Sequence, residues 1–307
     1  MTRVEAAAVP ERPLAASDVA AAAQLACLLE ASAPKPGNVS PGRHFADTRY
    51  EDFLASAAAI GGPLAGAGTR SVGATVRLAI EATRIWTRSN TNLGIVLLLT
   101  PLARAALASP SPGMMSGVTR LRTEVARVLD KTTVEDARDV YAAIRLASPG
   151  GLGRVEAQDV SGEPDVTLLD AMRLAADRDA VAREYATAFD MTFETGAPAL
   201  EQARRDGLPW DEAVVETFLS VLAAAPDTHL ARRVGAAVAA DVTERARRTL
   251  TAGGVRSAAG RRAIDEMDRD LRDARNIGNP GTTADLTAAA IFVVLLRGGY
   301  KYKVHSA

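Results

Sequence analysis

The sequence is poor in several features that would point to particular classes of protein. Aromatic residues make up only 4% of the chain, which is few for a sheet built on aromatic and β-branched side chains. The one cysteine, Cys27, cannot form an internal disulfide. Lys plus Arg total 36 against 37 Asp plus Glu, so the formal net charge is −1. No overall field therefore attracts this chain to nucleic acid, and we expect none as a partner.

Long hydrophobic runs are also missing. The longest apolar stretches, residues 93–99 and 288–296, are too short for a membrane span of about 20 residues. The start of the chain lacks the basic and apolar regions of a signal peptide. We therefore expect a cytoplasmic protein with no membrane partner, in which these apolar stretches form buried core helices.

The residues that are abundant favour helices. Hydrophobic residues make up 48% of the chain, alanine dominates, and no run alternates convincingly with period two. We predict an all-α fold: one large multi-helix bundle over residues 17–300, with loose tails at 1–16 and 301–307. Residues 93–107 are apolar almost throughout, which predicts the central helix. The other long helices are predicted near residues 17–32, 116–130, 133–147, 167–176, 178–195, 211–224, 228–251, 257–275 and 283–297.

The first loop with candidate chemistry follows the first predicted helix. In Pro34-Lys35-Pro36-Gly37-Asn38 the prolines fix the backbone and Gly37 permits close approach by a ligand, so Lys35 could meet a phosphate. The alternative is a rigid, solvent-facing turn with a solvated lysine. His44 in the same loop is either a catalytic residue or a local hydrogen-bonding residue.

Two further loops carry polar residues beside predicted helix ends. Asn90, Thr91 and Asn92 precede the central helix, where free N–H groups could bind phosphate or where these side chains could simply cap the helix. Residues 148–154 contain three glycines and Arg154, followed by Glu156, and could wrap a polyphosphate or form a flexible connection. This segment lacks the ending of a Walker loop.

Four aspartates lie at predicted helix starts. Asp177 and Asp179, together with Asp227 and Asp285, could hold a magnesium ion, because that cation takes oxygen ligands and bridges phosphates. Each aspartate also has a simpler explanation, since the first turn of a helix favours negative charge. We predict that the polar loops form one shared cleft.

The order of these polar segments along the chain resembles that in the triphosphoribosyl-dephospho-coenzyme-A synthases. The matching residues, from about residue 18 to 297, are Glu30 with Pro34 to Asn38, Asn90-Thr91 with Gly94, Arg154 with Glu156, Asp227-Thr228-His229 with Arg232 and Gly235, and Pro280-Gly281 with Ala284-Asp285-Leu286. The resemblance implies an all-α fold. It also implies transfer of the triphosphoribosyl group of ATP to the 2′-hydroxyl of dephospho-coenzyme A, with release of adenine.

That chemistry passes through an oxocarbenium-like centre, so carboxylates near the ribose and cations on the phosphates are the groups it needs. We expect ATP as a substrate, Mg²⁺ as cofactor and a coenzyme precursor as acceptor, with a homodimer compatible with the sequence. The predicted catalytic residues are Glu156, Asp227, His229 and Asp285, and the predicted metal ligands are Asp177, Asp179, Asp227 and Asp285. The predicted substrate-binding residues are Lys35, Gly37, Asn38, His44, Asn90, Thr91, Asn92, Arg154, Arg178, Arg232, Arg233, Asn279 and Thr283.

The chain departs from the citrate-lyase branch of the family in two places. The segment with Pro149-Gly150-Gly151-Leu152-Gly153 and Asp159-Val160 differs from the histidine-glycine motif of that branch, and residues 90–94 differ from it as well. That branch is expected to have Asn-Thr-His-Lys-Gly where this chain has Asn90-Thr91-Asn92-Leu93-Gly94. The chain is closer there to archaeal and methylotroph relatives. Two alternatives follow: a ribosyl transferase of a one-carbon coenzyme pathway with another donor or acceptor, or a noncatalytic nucleotide-binding helical protein.

Overall fold

The structure is a computed structural model, and it describes residues 13–108, 117–149, 157–272 and 278–300. Within these ranges the secondary structure is helical, and the one β-type pairing is an isolated bridge between Ser40 and Arg43. The predicted all-α fold is confirmed. Arg154, Glu156, most of the predicted N-terminal tail and the predicted C-terminal tail lie outside the described residues.

The α-helices follow one another in short steps along the chain. They are α1 (Ala16–Ser32), α2 (Tyr50–Ala59), α3 (Gly61–Ala65), α4 (Val72–Arg84), α5 (Leu93–Ala108), α6 (Gly117–Asp130), α7 (Val134–Ala147), α8 (Leu168–Ala175), α9 (Ala180–Thr187), α10 (Ala197–Arg205), α11 (Trp210–Ala224), α12 (Thr228–Val234), α13 (Ala236–Thr251), α14 (Ala258–Leu271) and α15 (Gly281–Leu296). A π-helix spans Met191–Gly196 and a 3₁₀-helix spans Gly254–Arg256.

Two predicted helices are divided in the structure. The helix expected over residues 228–251 ends at Val234 and restarts at Ala236, because Gly235 between them adopts φ +96°, which a helix does not allow. The helix expected over 178–195 ends at Thr187, where Ala188 and Phe189 both have positive φ before the π-helix begins. Tertiary contacts override helix propensity at the second position.

The core is built around α5 and α15, which are apolar on nearly every face. Helix α15 packs against α1, α5, α10 and α11, so its side chains from Leu286 to Val294 are buried all round. Helix α5 packs against α1, α4, α6 and α15. The prediction of a central helix at residues 93–107 is confirmed by α5.

The helix starts carry the polar residues, because side chains there satisfy free backbone N–H groups. Asp179 caps α9 and Asp227 caps α12, while Thr133 and Thr167 cap α7 and α8. No helix in the described ranges has both the length and the apolar character needed to cross a membrane. The capped ends of α9 and α12 meet the start of α15, and that junction positions the candidate site.

Candidate active site

A cavity of about 530 Å³ opens where these helix starts meet α5, α7 and α8. This volume lies within the range of small-molecule sites, roughly 300–1,000 Å³. One end of the cavity is polar and is lined by Asn90, Asp179, His229, Arg232, Thr282 and Asp285. The rest of the lining combines apolar side chains with polar ones such as Arg145, Asp159 and Ser161. The residues of the polar end come from four separate breaks in the chain, before α5 and α9 and at the starts of α12 and α15, and they share one cavity.

Asp285 differs from the other acidic residues at the polar end. Its carboxylate accepts no hydrogen bond and has no ion pair among the described residues, although it lines the cavity. Burial, with the negative charges of Glu30, Asp227 and Asp179, raises the pKa of Asp285 well above its usual range, and Arg232 opposes that rise only in part. Burial and these negative neighbours therefore favour the protonated form of Asp285 more than water does.

The position of Asp285 depends on Gly94 in the first turn of α5. A Cβ atom added to Gly94 would lie 2.0 Å from the Oδ2 atom of Asp285, a distance that no side chain tolerates. Residue 94 must therefore be glycine for the carboxyl group to occupy this place beside α5.

His229 lies in the first turn of α12 and also lines the cavity. Burial and the positive charges of Arg232 and Arg233 lower the pKa of His229 to about 4, against an opposing effect of Asp179. The imidazole is consequently neutral at pH 7 and has a nitrogen free to accept a proton. The pKa shifts of Asp285 and His229 run in opposite directions, and each favours the uncharged form of its group, a pattern that is common at functional sites.

Asp227 lies behind the cavity wall instead of on it. Its Oδ1 accepts a hydrogen bond from the backbone N of Leu230 at 2.7 Å, and its Oδ2 accepts from the backbone N and the Oγ1 of Thr283 at 2.6 and 2.8 Å. The residue is 3% exposed. With both oxygens engaged, Asp227 ties the start of α12 to the start of α15 and so positions His229 and Asp285. This contact is structural, whereas Asp227 and Thr283 were predicted to touch substrate.

Asp179 and Arg232 form an ion pair at the polar end. The Asp179 Oδ1 accepts hydrogen bonds from Val181 N and Ala182 N at 2.9 and 3.1 Å, and its Oδ2 accepts one from Arg232 at 2.6 Å. The Nε of Arg232 is buried without a hydrogen-bond partner. Arg178, at the exposed rim, also lines the cavity. Two guanidinium groups are thus available to an anionic ligand.

The predicted four-aspartate magnesium site does not assemble. In the part of the chain that the structure describes, no three His, Cys, Asp or Glu side chains group closely enough to hold a metal ion. Asp177 is exposed and off the cavity lining, and the oxygens of Asp179 and Asp227 already accept protein hydrogen bonds. These four residues therefore do not fit a protein-held magnesium ion.

Lys35 was predicted to bind substrate, with a solvated lysine in a turn as the alternative, and the structure buries it instead. Its side chain is buried, with a residue exposure of 0%, and Nζ lies 2.9 Å from the Oε1 of Glu30. Nζ also donates to the backbone carbonyls of Glu30 and Ala33. Lys35 is absent from the cavity lining, so it is an internal ion-pair partner in this structure.

The rest of that loop is held by internal hydrogen bonds. Gly37, at φ +72°, donates its backbone N–H to Asp268 Oδ1 at 2.8 Å, and the Nδ2 of Asn38 donates to the carbonyl of Pro36 at 3.1 Å. His44 is exposed and accepts a hydrogen bond from the backbone N of Tyr50 at 3.2 Å. The loop is a clamp between α1 and α14, and none of these residues lines the cavity.

Of the three polar residues just before α5, one lines the cavity and two are buried in the core. Asn90 lines the cavity, and its Oδ1 accepts a hydrogen bond from Leu93 N at 3.2 Å. Thr91 bonds to Ser56, and Asn92 donates to Thr83 Oγ1 at 3.0 Å; both side chains are buried away from the lining. Of the other predicted residues, Arg233 and Asn279 are also off the lining.

Some cavity residues were not predicted as site residues from the sequence. Thr282 lines the polar end, and Tyr141 and Gln158 line the opposite wall beside the apolar side chains of α7 and α8. An apolar residue on a helix that faces a cavity has the same periodicity as one that faces the core. No sequence signal could therefore separate the two.

Comparisons with known proteins place this architecture in a family. Residues 16–304 match the family described as "CitG: ATP:dephospho-CoA triphosphoribosyl transferase". A protein of Pseudomonas paraeruginosa named as a 2-(5''-triphosphoribosyl)-3'-dephosphocoenzyme-A synthase is 38% identical over 113 residues, and one of Pseudomonas syringae pv. tomato with the same name is 34% identical over 113 residues. Each match covers 36% of this chain and 38% of the relative, so the matched segment spans about two fifths of those relatives.

A solved structure extends the likeness over more of the chain. The crystal structure of an Archaeoglobus fulgidus protein, named for triphosphoribosyl-dephospho-coA synthase, superimposes with a TM-score of 0.62 at 27% sequence identity. It covers 80% of this chain and 99% of the archaeal one. Because the family match spans nearly the whole chain, this protein belongs to the ATP:dephospho-CoA triphosphoribosyl transferase family.

Proposed function

We propose that the protein transfers the triphosphoribosyl group of ATP to the 2′-hydroxyl of dephospho-CoA, with adenine as the leaving group. The observation that carries this proposal is that Asp285 and His229 line one cavity, where burial favours the uncharged form of each. Asp285 has an unbonded carboxyl group with a raised pKa, and His229 has an imidazole with a lowered pKa. Transfer from a nitrogen leaving group to a hydroxyl requires one proton donor and one proton acceptor.

Asp285 acts as the acid. The bond between the ribose C1′ and adenine N9 breaks as the carboxyl group donates its proton to the purine, which then leaves as neutral adenine. The ring oxygen shares the positive charge that develops at C1′. The carboxylate that remains carries a negative charge beside C1′, so it stabilises the positive charge there while the new bond to the acceptor forms.

His229 acts as the base. As the 2′-hydroxyl oxygen of dephospho-CoA forms its bond to C1′, the neutral imidazole takes the hydroxyl proton. The bond balance is therefore one C–N bond broken and one C–O bond made. The proton gained by His229 equals the proton lost by Asp285, and exchange with water restores both groups before the next turnover.

The phosphates are bound by guanidinium groups. Arg232 is fixed by its 2.6 Å contact with Asp179, and its unpartnered Nε–H remains a donor for a phosphate oxygen. Arg178 adds a second positive charge at the rim. Charge-assisted hydrogen bonds of this kind are roughly twice as strong as neutral ones, so they can hold the ribose in register with Asp285.

The test is a product analysis by mass. Incubation with ATP, magnesium and dephospho-CoA should give free adenine and an acceptor enlarged by one triphosphoribosyl group, and Asp285→Asn should give neither. A matched control is Asp177→Asn, which changes an exposed aspartate off the cavity lining. Release of ADP or AMP in place of adenine would show that the reaction belongs to another class.

A second candidate acceptor is favoured by one feature of the lining. Leu93 lines the cavity at the place where the citrate-lyase branch is expected to have a lysine, and Asn92 is turned into the core. An acceptor with less negative charge than dephospho-CoA at this point, such as the precursor of a one-carbon coenzyme, would fit that wall. The same incubation with such precursors would again release adenine but enlarge a different acceptor.

A further inference from the structure

The wall opposite the acid–base pair is built for a flat apolar group. Its side chains come from α7, α8 and α9 and are Val140, Ile144, Leu168, Ala171, Met172 and Val181. An apolar wall inside a water-accessible cavity is stabilised when a ligand covers it. The base is the apolar part of a nucleotide, so the phosphates match the arginine end and the base matches this wall.

Gln158 is one of the polar residues that line the same cavity. The Nε2 of Gln158 donates a hydrogen bond to Asp165 Oδ1 at 2.6 Å, whereas its Oε1 is buried without a hydrogen-bond partner. This orientation of the amide is fixed, because a turned amide would place Oε1 against a carboxylate oxygen. Gln158, a residue of the cavity lining, therefore has an acceptor atom that no donor among the described residues satisfies. Such an atom calls for an explanation outside the protein fold.

The backbone of Gln158 is strained, and it is held in place. Its φ is +54°, in the left-handed region that glutamine rarely adopts. The buried hydroxyl of Tyr141, which also lines the cavity, donates to the carbonyl of Gln158 at 2.7 Å. Strain of this kind persists where the surrounding structure over-determines a position, and it is common at ligand sites.

We propose that Gln158 is the residue that recognises the base, its Oε1 accepting a hydrogen bond from the exocyclic amine of an adenine ring packed on this wall. The inference rests on the proposed function only in taking an adenine nucleotide as the ligand. Both substrates of that reaction, ATP and dephospho-CoA, carry adenine. The subsite thus has one chemistry and two possible sources, which the experiment separates.

The experiment measures the preference for amine over carbonyl at position 6 of the purine. ATP and ITP are titrated into the full-length protein in one arm, and dephospho-CoA and its deaminated counterpart in the other. In the wild type, one arm should show about tenfold tighter binding of the amine-bearing ligand, which is ~1.4 kcal/mol. Gln158→Met should reduce that ratio to about one in the same arm. A ratio within one variant is independent of any general loss of folded protein.

Two further variants control the result. Gln202→Met removes an amide that makes the same contact, Nε2 to Asp206 Oδ1 at 2.6 Å, on the exposed surface of α10, and it should leave the ratio at the wild-type value. The double variant Gln158→Glu with Asp165→Asn reverses the donor and acceptor of the 2.6 Å contact. It still leaves one oxygen at the wall, so it should restore the preference that Gln158→Met removes.

The possible outcomes separate this inference from the proposed function. A wild-type ratio near one in both arms, or a ratio unchanged by Gln158→Met, overturns the role of Gln158 even if the protein makes the expected product. A ratio of about ten that Gln158→Met removes supports that role even if no triphosphoribosyl product forms. Loss of the preference in the ATP arm assigns the wall to the donor, and loss in the other arm assigns it to the acceptor.

Discussion

The buried Glu30–Lys35 ion pair gives the most direct test of how this fold is stabilised. The two side chains are 4% and 1% exposed, and the Nζ of Lys35 lies 2.9 Å from the Oε1 of Glu30. Lys35→Met keeps most of the length and volume of the side chain but removes its charge. The ionised Glu30 carboxylate then has no partner in a place that water does not reach. A charge buried without a partner is costly because it loses its hydration on folding.

The expected magnitude follows from that burial. Removal of one member of a buried pair costs about 3–5 kcal/mol, because the other charge is left uncompensated. The double variant Lys35→Met with Glu30→Gln removes both charges. It loses only the contacts of Nζ with the carbonyls of Glu30 and Ala33, so we expect a cost of about 1–2 kcal/mol. The double variant should therefore be more stable than the single one.

Urea unfolding followed by helical circular dichroism measures both free energies. The control is Lys131→Met, which changes an exposed lysine after α6 and should shift the free energy of unfolding by no more than about 0.5 kcal/mol. If Lys35→Met matched this control, the lysine would be solvated, and the burial argument would be refuted. If the double variant were less stable than Lys35→Met, the cost of the single variant would not come from the unpaired charge of Glu30, although the burial of Lys35 would still hold.

Three further expectations concern the cavity. Gly94→Ala should displace the Asp285 carboxyl group and lower the transfer rate at least tenfold. The control Gly62→Ala, where an added Cβ meets nothing within 4 Å, should keep the wild-type rate. Equal rates for the two variants would contradict the packing argument. Asp285→Asn should abolish transfer yet raise the free energy of unfolding at pH 7, because burial and negative neighbours make an aspartate at this position unfavourable in the folded state. A variant less stable than the wild type would refute this reasoning. The pKa of His229 is about 4 in the folded protein against 6.5 in the unfolded chain, so between these values the unfolded chain binds the extra proton. The free energy of unfolding therefore falls as the pH drops from 6.5 to about 4, by at most about 1.4 kcal/mol per pH unit. His229→Gln should make this decrease smaller when stability is measured against pH.

Much of the fold could be predicted because its causes are local. The alanine content and the helical spacing of the apolar residues are properties of short segments, and they were sufficient for the all-α class and for α5. The predicted helix over 228–251 failed at Gly235 because an isolated glycine is tolerated in many helices. In the structure Gly235 adopts φ +96° and separates α12 from α13.

The candidate site was predicted in part for a similar reason. Helix starts attract polar residues in any fold, so the breaks at Asn90, Asp179, His229 and Asp285 were visible in the sequence. The burial of Lys35 was not visible. A lysine between two prolines has an exposed loop as its ordinary location, and only the end of α1 supplies the Glu30 carboxylate that makes burial tolerable. Glu156 and Arg154 remain predictions, since they lie outside the described residues.

The hydrogen bonds of the carboxylates distinguish aspartates that hold the structure of the site from aspartates that can contact a ligand. Asp227 has every strong donor it needs from α12 and α15, so a ligand would have to displace protein contacts to reach it. Asp285 is close enough for Asp227 and Glu30 to raise its pKa, but it has no donor of its own among the described residues. Folding gains nothing from a carboxyl group left in that state, and a protein under selection for stability alone would replace it with asparagine or leucine. The unsatisfied Oε1 of Gln158 on the opposite wall follows the same reasoning. Two such groups on one cavity indicate that its missing contacts belong to a ligand.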